Sequence, residues 1–95
     1  MELARVVTFE GVGKDRIEEM RREMQDDGGR PEGLEAKEII VLHDAEAEKS
    51  VVVVFFDSED AYRRGDEVLN AMPAGDTPGR RASVQKYEVP IRMTI

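Results

Sequence analysis

Residues 50–60 of this chain read SVVVVFFDSED, and this stretch decides the fold. Its six consecutive apolar residues, Val51–Phe56, are too few to cross a bilayer and are typical of a buried strand. Asp57 and Ser58 then offer an N-cap, and the acidic Glu59 falls in the first turn of a helix, where the helix dipole favours negative charge. The stretch therefore predicts a buried strand that leads directly into a helix.

The hydrophobic pattern on either side predicts the order strand, helix, strand, strand, helix, strand. Apolar residues alternate in the strands and recur every three or four residues in the helices. The predicted strands are Leu3–Phe9, Ala36–Leu42, Ser50–Phe56 and Lys86–Ile95. The first predicted helix carries Ile17, Met20 and Met24 on one stripe and ends at Gly28 and Gly29. The second predicted helix begins at Glu59 and is stopped by Pro73. This order predicts an α+β, ferredoxin-like βαββαβ protomer, in which a four-stranded antiparallel sheet carries two helices on one face. Pro90 marks an edge, a bulge, or the point where the last strand leaves its own sheet.

The length and composition of the chain limit the class of protein. Its 95 residues suffice for a single domain, 1–95, and its net charge of -7 argues against partners such as nucleic acid or an anionic membrane. The absence of cysteine excludes disulfides and thiolate sites. The N-terminal residues lack the basic and long apolar regions of a signal peptide, so the expected location is the cytoplasm.

Both faces of the predicted central strand are apolar. Val52, Val54 and Phe56 point one way, and Val51, Val53 and Phe55 point the other; strand Ala36–Leu42 behaves similarly. The two helices cover only one face of the sheet, and each further apolar side chain buried contributes roughly 1.5–3 kcal/mol as an upper estimate. The sequence therefore predicts a homodimer, sheet packed on sheet, with the last strand extending to the partner. The alternative is a monomer in which only the central strand is apolar on both faces.

The stretch Gly33–Leu69, GLEAKEIIVLHDAEAEKSVVVVFFDSEDAYRRGDEVL, resembles the antibiotic-biosynthesis-monooxygenase-like (ABM) proteins of the dimeric α+β-barrel superfamily. The shared pattern is a glycine after the first helix, a strand that ends in an acidic residue, and an apolar strand that ends just before a helix whose first residues are acidic. The residues that match this pattern are Gly33, Asp44, Phe56, Asp57, Ser58 and Glu59–Tyr62. The resemblance implies a dimeric α+β barrel and, for the better understood members, cofactor-independent oxygenation of aromatic polyketides or quinol-like substrates, or oxidative haem degradation. Those activities are associated with Asn, Trp and His side chains. This chain has no Trp, no Asn in its first strand, and Phe56 where the pattern often shows Trp, so no catalytic residue is carried over.

The candidate polar groups each have two interpretations. Histidine titrates near neutral pH, which makes His43, the only one in the chain, a candidate general base. Its neighbour Asp44 points to the opposite face of a strand, so an exposed loop histidine is the favoured interpretation. Arg81 follows a glycine-containing loop and could hold a carboxylate or phosphate, or could pair with the surplus acids. The charged residues of the second helix, Asp66 among them, are interpreted as a solvated surface.

Phe, Tyr and Met side chains fill a core or line a cavity between the sheet and the helices. For a cavity, the candidate ligand contacts are His43, Tyr62, Tyr87, Phe56 and Arg81. No cofactor is expected, and no metal site is predicted from a single histidine without cysteine. The acidic clusters at 26–27 and 46–48 are interpreted as solvated loops. The predicted function is that of a homodimeric barrel protein that binds a small apolar or aromatic molecule; the alternatives are an ABM-type cofactor-independent monooxygenase and a non-catalytic assembly module.

Overall fold

The protein, described by a computed structural model over residues 1–27, 33–72 and 79–95, forms one antiparallel sheet with two helices on one side. The elements are β1 Leu3–Glu10, α1 Lys14–Asp27, β2 Glu38–Asp44, β3 Lys49–Phe56, α2 Glu59–Asn70 and β4 Arg80–Glu88. The strand order β2-β3-β1-β4, with antiparallel neighbours throughout, confirms the predicted ferredoxin-like α+β fold. Gly28, Gly29 and Pro73, predicted to end the helices, lie outside the described residues. In the parts of the chain that the structure describes, no helix has both the length and the apolar character needed to span a membrane.

The hairpin between β2 and β3 is tighter than the sequence predicts. Strand β2 extends through His43 and Asp44, because the ladder with β3 continues to the Asp44–Lys49 pair. The turn is closed by the Asp44 carboxylate, which accepts hydrogen bonds from the backbone N–H groups of Glu46 and Ala47 at 3.1 Å each. Glu48 adopts the left-handed conformation, with φ 52°. The predicted loop from His43 to Lys49 is therefore too long.

The side of the sheet under the helices carries the core. Val7, Val54 and Phe56 are fully buried there, and the Phe56 ring meets the Tyr62 ring edge to face at 5.4 Å. Helix α2 approaches closely because Gly65 has no side chain; a Cβ at that position would lie 2.5 Å from Phe56 Cζ. The Ser58 hydroxyl accepts from the Ala61 N–H at 3.1 Å, which confirms the predicted N-cap.

A buried cation joins β1 to α2. Arg5 lies on the inward face of β1 and is only 3% exposed. Its Nε donates to Asp66 Oδ1 and its Nη2 to Asn70 Oδ1, each at 2.8 Å, and Asn70 Nδ2 donates to Asp66 Oδ2 at 3.2 Å. Asp66, a surface residue whose side chain is 35% exposed, thus also provides the carboxylate that compensates Arg5.

The chain after β4 leaves the sheet, as Pro90 allows. The last backbone contact is the Val89 N–H, which donates to the Glu2 carbonyl at 3.0 Å. Arg92 then donates to the Glu2 carboxylate at 3.1 Å and to Glu38 at 2.7 Å, and its guanidinium lies 4.4 Å from the centre of the Phe55 ring. Residues 89–95 are called the C-terminal tail below; they do not continue β4, so the predicted strand to Ile95 ends at Glu88.

We expect Asp66→Ala to lower the free energy of unfolding by about 2–3 kcal/mol, because it leaves the Arg5 guanidinium buried without a counter-charge. This loss of stability is smaller than that expected for a fully buried ion pair, because the Asp66 side chain is 35% exposed. Urea denaturation measures the change. Glu67→Ala is the matched control, an exposed acidic residue next along α2, and should alter stability by less than about 0.5 kcal/mol. Equal effects of the two substitutions would contradict a structural role for the ion pair.

Acid should release the C-terminal tail. Hydrogen bonds from Arg92, and then from Lys37, lower the pKa of the Glu2 carboxyl. A carboxyl whose pKa is lowered by folding stabilises the folded state at pH values above its ordinary pKa. This contribution is lost as the pH falls through the lowered pKa. We therefore expect the tail to be anchored at neutral pH and to become mobile in acid, as the pH falls through the lowered pKa of Glu2; backbone ¹⁵N relaxation of Ile91–Ile95 measures this mobility.

The control for the acid transition is a substitution of Glu10, at the C-terminal end of β1. Glu2→Gln should mobilise the tail already at neutral pH and remove most of the transition. Glu10→Gln removes a carboxylate that contacts Arg80 instead, and should leave the tail anchored. A tail that stays equally ordered in Glu2→Gln would show that this carboxylate does not hold it.

Candidate functional site

A cavity of about 470 Å³ lies between α1 and β2, on the side of the sheet that carries the helices. This volume is ordinary for a small-molecule pocket. The apolar lining residues come from both elements and are Ile17, Met20, Met24, Ile39 and Val41. Polar groups are contributed by Arg21, Gln25 and His43, of which the first two are exposed. The cavity is thus apolar over most of its wall, with its exposed polar side chains on α1.

The cavity exists because the two helices approach the sheet differently. Helix α2 turns the small residues Ala61 and Gly65 toward β3 and packs directly on it. Helix α1 turns larger side chains toward the sheet, with Met20 buried and Ile17 and Met24 half-buried. These longer side chains keep the α1 backbone away from the edge strand β2. The stripe predicted for α1 is therefore both a core contact and a cavity wall.

His43 is the one polar group of the cavity on β2, and its hydrogen bond fixes its chemistry. The side chain is half-buried on a strand, so the favoured interpretation of an exposed loop histidine is wrong. Its Nε2 lies 2.8 Å from the Val12 carbonyl oxygen. A carbonyl only accepts hydrogen bonds, so in the neutral ring Nε2 carries the proton and Nδ1 carries the lone pair. The Asp44 carboxylate closes the hairpin turn and does not orient the imidazole.

Ser50 lies beside His43 and was not singled out by the sequence. The two residues are directly opposite each other in the β2–β3 ladder and share the face under the helices. Ser50 is 1% exposed, and its hydroxyl has no hydrogen-bond partner within the described parts of the chain. An unpaired buried hydroxyl is costly. Only the strand register reveals this pair, since seven positions separate the two residues along the chain.

Phe56 and Tyr62, two of the predicted ligand contacts, belong to the core below α2 and are not among the residues that line the cavity. Burial, followed by the nearby charge of Asp66, raises the pKa of the Tyr62 hydroxyl. The Lys86 ammonium lies 4.9 Å from the centre of the Tyr62 ring. The phenol therefore stays protonated and packs as a structural residue.

Tyr87 and Arg81 lie on β4, away from the cavity. Tyr87 is on the opposite face of the sheet, is 50% exposed, and donates to the Gln85 side chain at 2.9 Å. Arg81 donates to Asn70 Oδ1 at 3.1 Å and to the Leu69 carbonyl at 3.3 Å, next to the C-terminal end of α2. The structure thus separates the five predicted contacts, and of these His43 alone is among the described residues that line the cavity.

The other face of the sheet, called the open face below, is apolar over three strands. Its central apolar residues are half-buried or exposed and comprise Val6 from β1, Ile40 and Leu42 from β2, and Val51, Val53 and Phe55 from β3. Leu42 is 54% exposed. On β4 the same face carries Ser83, Gln85 and Tyr87. The apolar character of this face therefore extends beyond the central strand.

No group of three or more His, Asp or Glu side chains in the described segments is arranged to hold a metal ion. Glu46 and Glu48 are exposed in the hairpin turn; at positions 26 and 27 the structure describes the helical backbone and not the side chains. The Arg80 guanidinium contacts the Glu10 carboxylate. Arg80 thus pairs with one of the surplus acids, whereas its neighbour Arg81 bonds to an amide and a backbone carbonyl.

Comparison of the sequence with models of protein families gives no match, and comparison with curated proteins gives none either. The resemblance of Gly33–Leu69 to the ABM proteins therefore stays a prediction. The element order and the antiparallel sheet agree with the protomer fold of that superfamily.

Proposed function

We propose that the chain is the protomer of a homodimer that binds a small apolar molecule in the cavity between α1 and β2. The observation that carries the binding proposal is the cavity itself, whose wall is built from aliphatic and thioether side chains. Apolar walls with a few fixed polar groups are the usual construction of small-molecule sites. His43, held by its hydrogen bond to Val12, would supply the fixed polar contact.

The cavity is better suited to binding than to catalysis. Among the described residues that line it there is no carboxylate and no hydroxyl or thiol nucleophile. The Val12 carbonyl orients His43 and leaves Nδ1 as its basic atom, while the Asp44 carboxylate accepts from the hairpin backbone instead. A general base also needs a nucleophile or a substrate proton within reach, and the lining residues supply no such nucleophile. We therefore favour a binding protein over the monooxygenase alternative.

The open face supports association with a second copy of the chain. Arg92 of the C-terminal tail contacts Phe55 at one end of this face, while Ile40 and Leu42 of β2 remain 38% and 54% exposed. Contiguous apolar surface of this kind is unusual on a monomer, and burial of each side chain contributes roughly 1.5–3 kcal/mol as an upper estimate. A two-fold axis would place the same face of both copies in contact.

The C-terminal tail supports the same partner. Ile91 and Met93 are 74% and 76% exposed, and Ile95 is fully exposed, so the alternating apolar residues of the tail find no cover on their own protomer. A second copy provides a nearby apolar surface of matching kind. The second candidate function is that of a non-catalytic assembly module, a dimer that binds no ligand. The same open face favours it.

The binding proposal is tested by filling the cavity. Val41→Phe places a larger side chain in the cavity wall, and we expect it to reduce binding of the neutral dye Nile red at least tenfold in a fluorescence titration. Val84→Phe is the matched control, because Val84 is an exposed valine of β4 that lies neither in the cavity nor on the open face. Dye binding that survives Val41→Phe unchanged would contradict the proposal and would leave the dimer without a ligand as the better description.

The dimer proposal is tested by a charge on either face of β3. Val54 is 2% exposed under the helices, so Val54→Asp should prevent folding, as read by circular dichroism. Val53 lies on the open face, so Val53→Asp should keep the fold and shift native mass spectra from about twice 10.7 kDa to the monomer mass. A wild-type monomer, or a folded Val53→Asp protein that stays dimeric, would contradict an interface through this face.

A further inference from the structure

We propose that the ligand of the cavity between α1 and β2 is a straight-chain aliphatic alcohol whose hydroxyl group binds between the side chains of His43 and Ser50. The inference rests on the proposed function and names the chemical class of its ligand. Two features carry it. One is the length and chemistry of the cavity wall, and the other is the pair of polar side chains at its His43 end.

The shape of the cavity fits an extended alkyl chain. Its lining residues on α1 run from Ile17 to Gln25, a span of about 12 Å at about 1.5 Å per helical residue. Those on β2 run from Ile39 to His43, a span of about 13 Å at about 3.3 Å per residue. The described wall contains aliphatic and thioether side chains and no Phe or Tyr. A long wall of this composition favours a flexible chain over a compact ring system.

His43 supplies a hydrogen-bond acceptor at one end of the cavity. Its Nε2 donates to the Val12 carbonyl at 2.8 Å, so the neutral ring keeps its lone pair on Nδ1. Within the segments that the structure describes, no side chain or backbone N–H donates to Nδ1. A lone pair attracts a hydrogen-bond donor and repels a carboxylate. The ligand group bound here must therefore carry a donor, as a hydroxyl group does.

Ser50 supplies a hydrogen-bond donor next to this acceptor. Its side chain is 1% exposed, and its hydroxyl is unpaired among the described residues. Ser50 lies directly opposite His43 in the β2–β3 ladder, and such pairs have Cβ atoms about 4.5–5.5 Å apart. One hydroxyl oxygen, about 2.7–3.0 Å from each polar atom, bridges a gap of this size. The ligand hydroxyl would donate to Nδ1 and accept from Ser50, which removes the cost of the unpaired buried hydroxyl.

The charges at the cavity favour an alcohol over a fatty acid. Arg21 is the one cation among the described lining residues, and its side chain is 65% exposed and paired with the Glu18 carboxylate at 3.0 Å. A ligand carboxylate at the His43 end would lose its hydration without gaining a counter-charge, which is costly. A neutral hydroxyl group avoids this cost.

The test compares three ligands with the same alkyl chain, which are decan-1-ol, its methyl ether and decanoate, by their displacement of Nile red from the whole protein. The ether accepts a hydrogen bond but cannot donate one to Nδ1. One ordinary hydrogen bond corresponds to about fivefold in affinity, so we expect the ether to bind at least about fivefold more weakly than the alcohol. Decanoate should bind more weakly still. Equal binding of alcohol and ether, or tightest binding of decanoate, would overturn the proposal.

A serine substitution tests the second contact. Ser50→Ala removes the donor without enlarging the side chain, and should weaken decan-1-ol binding at least about threefold while Nile red binds as in the wild type. Ser83→Ala is the matched control, because Ser83 is exposed on β4, and should leave both affinities unchanged. Wild-type affinity of Ser50→Ala for the alcohol would overturn the hydroxyl site. The response of Nile red to Val41→Phe decides the proposed function separately, so the two failures are distinguishable.

Discussion

The structure depends on one constraint, that β3 is apolar on both faces. Val54 and Phe56 satisfy this constraint on one side by packing under the helices, where both are buried. Val53 and Phe55 present the same chemistry on the other side, where Arg92 of the C-terminal tail lies over the Phe55 ring. A strand with two apolar faces is typical of a position buried on both sides. The helices, the open face and the direction of the tail all follow from how these two faces are covered.

Packing on the helix side of the sheet differs between α1 and α2, because the residues that these helices turn toward the sheet differ in size. Gly65 lets α2 rest on Phe56, and the ion pair of Arg5 with Asp66 fixes the helix to β1. Helix α1 has no glycine in its inward stripe and stands away from β2. The same sheet is therefore tightly packed at one end and hollow at the other. This asymmetry places the candidate site, because a close α1 would have filled the space that the cavity occupies.

The sequence predicts the part of this architecture that local patterns determine. Alternation and capping are local properties, so the element order, the Ser58 cap and the apolar faces of β3 could be predicted from neighbouring residues. Arg5 interrupts the apolar pattern of β1, but its partners lie 61 and 65 residues away, and no local pattern identifies them. The pairing of His43 with Ser50 likewise depends on the register of the hairpin. The missed features are those set by contacts between distant segments.

Strand β2 connects the two proposed activities, because alternate residues of this one strand face the cavity and the open face. Val41 and His43 line the cavity, while Ile40 and Leu42 lie on the other side. A shift of register by one residue would exchange the two sets and would turn His43 away from α1. The register is set by the short turn that Asp44 closes through two backbone N–H groups. Asp44 thus helps to determine which residues of β2 face the cavity, although its carboxylate is turned to the hairpin backbone and not to the imidazole of His43.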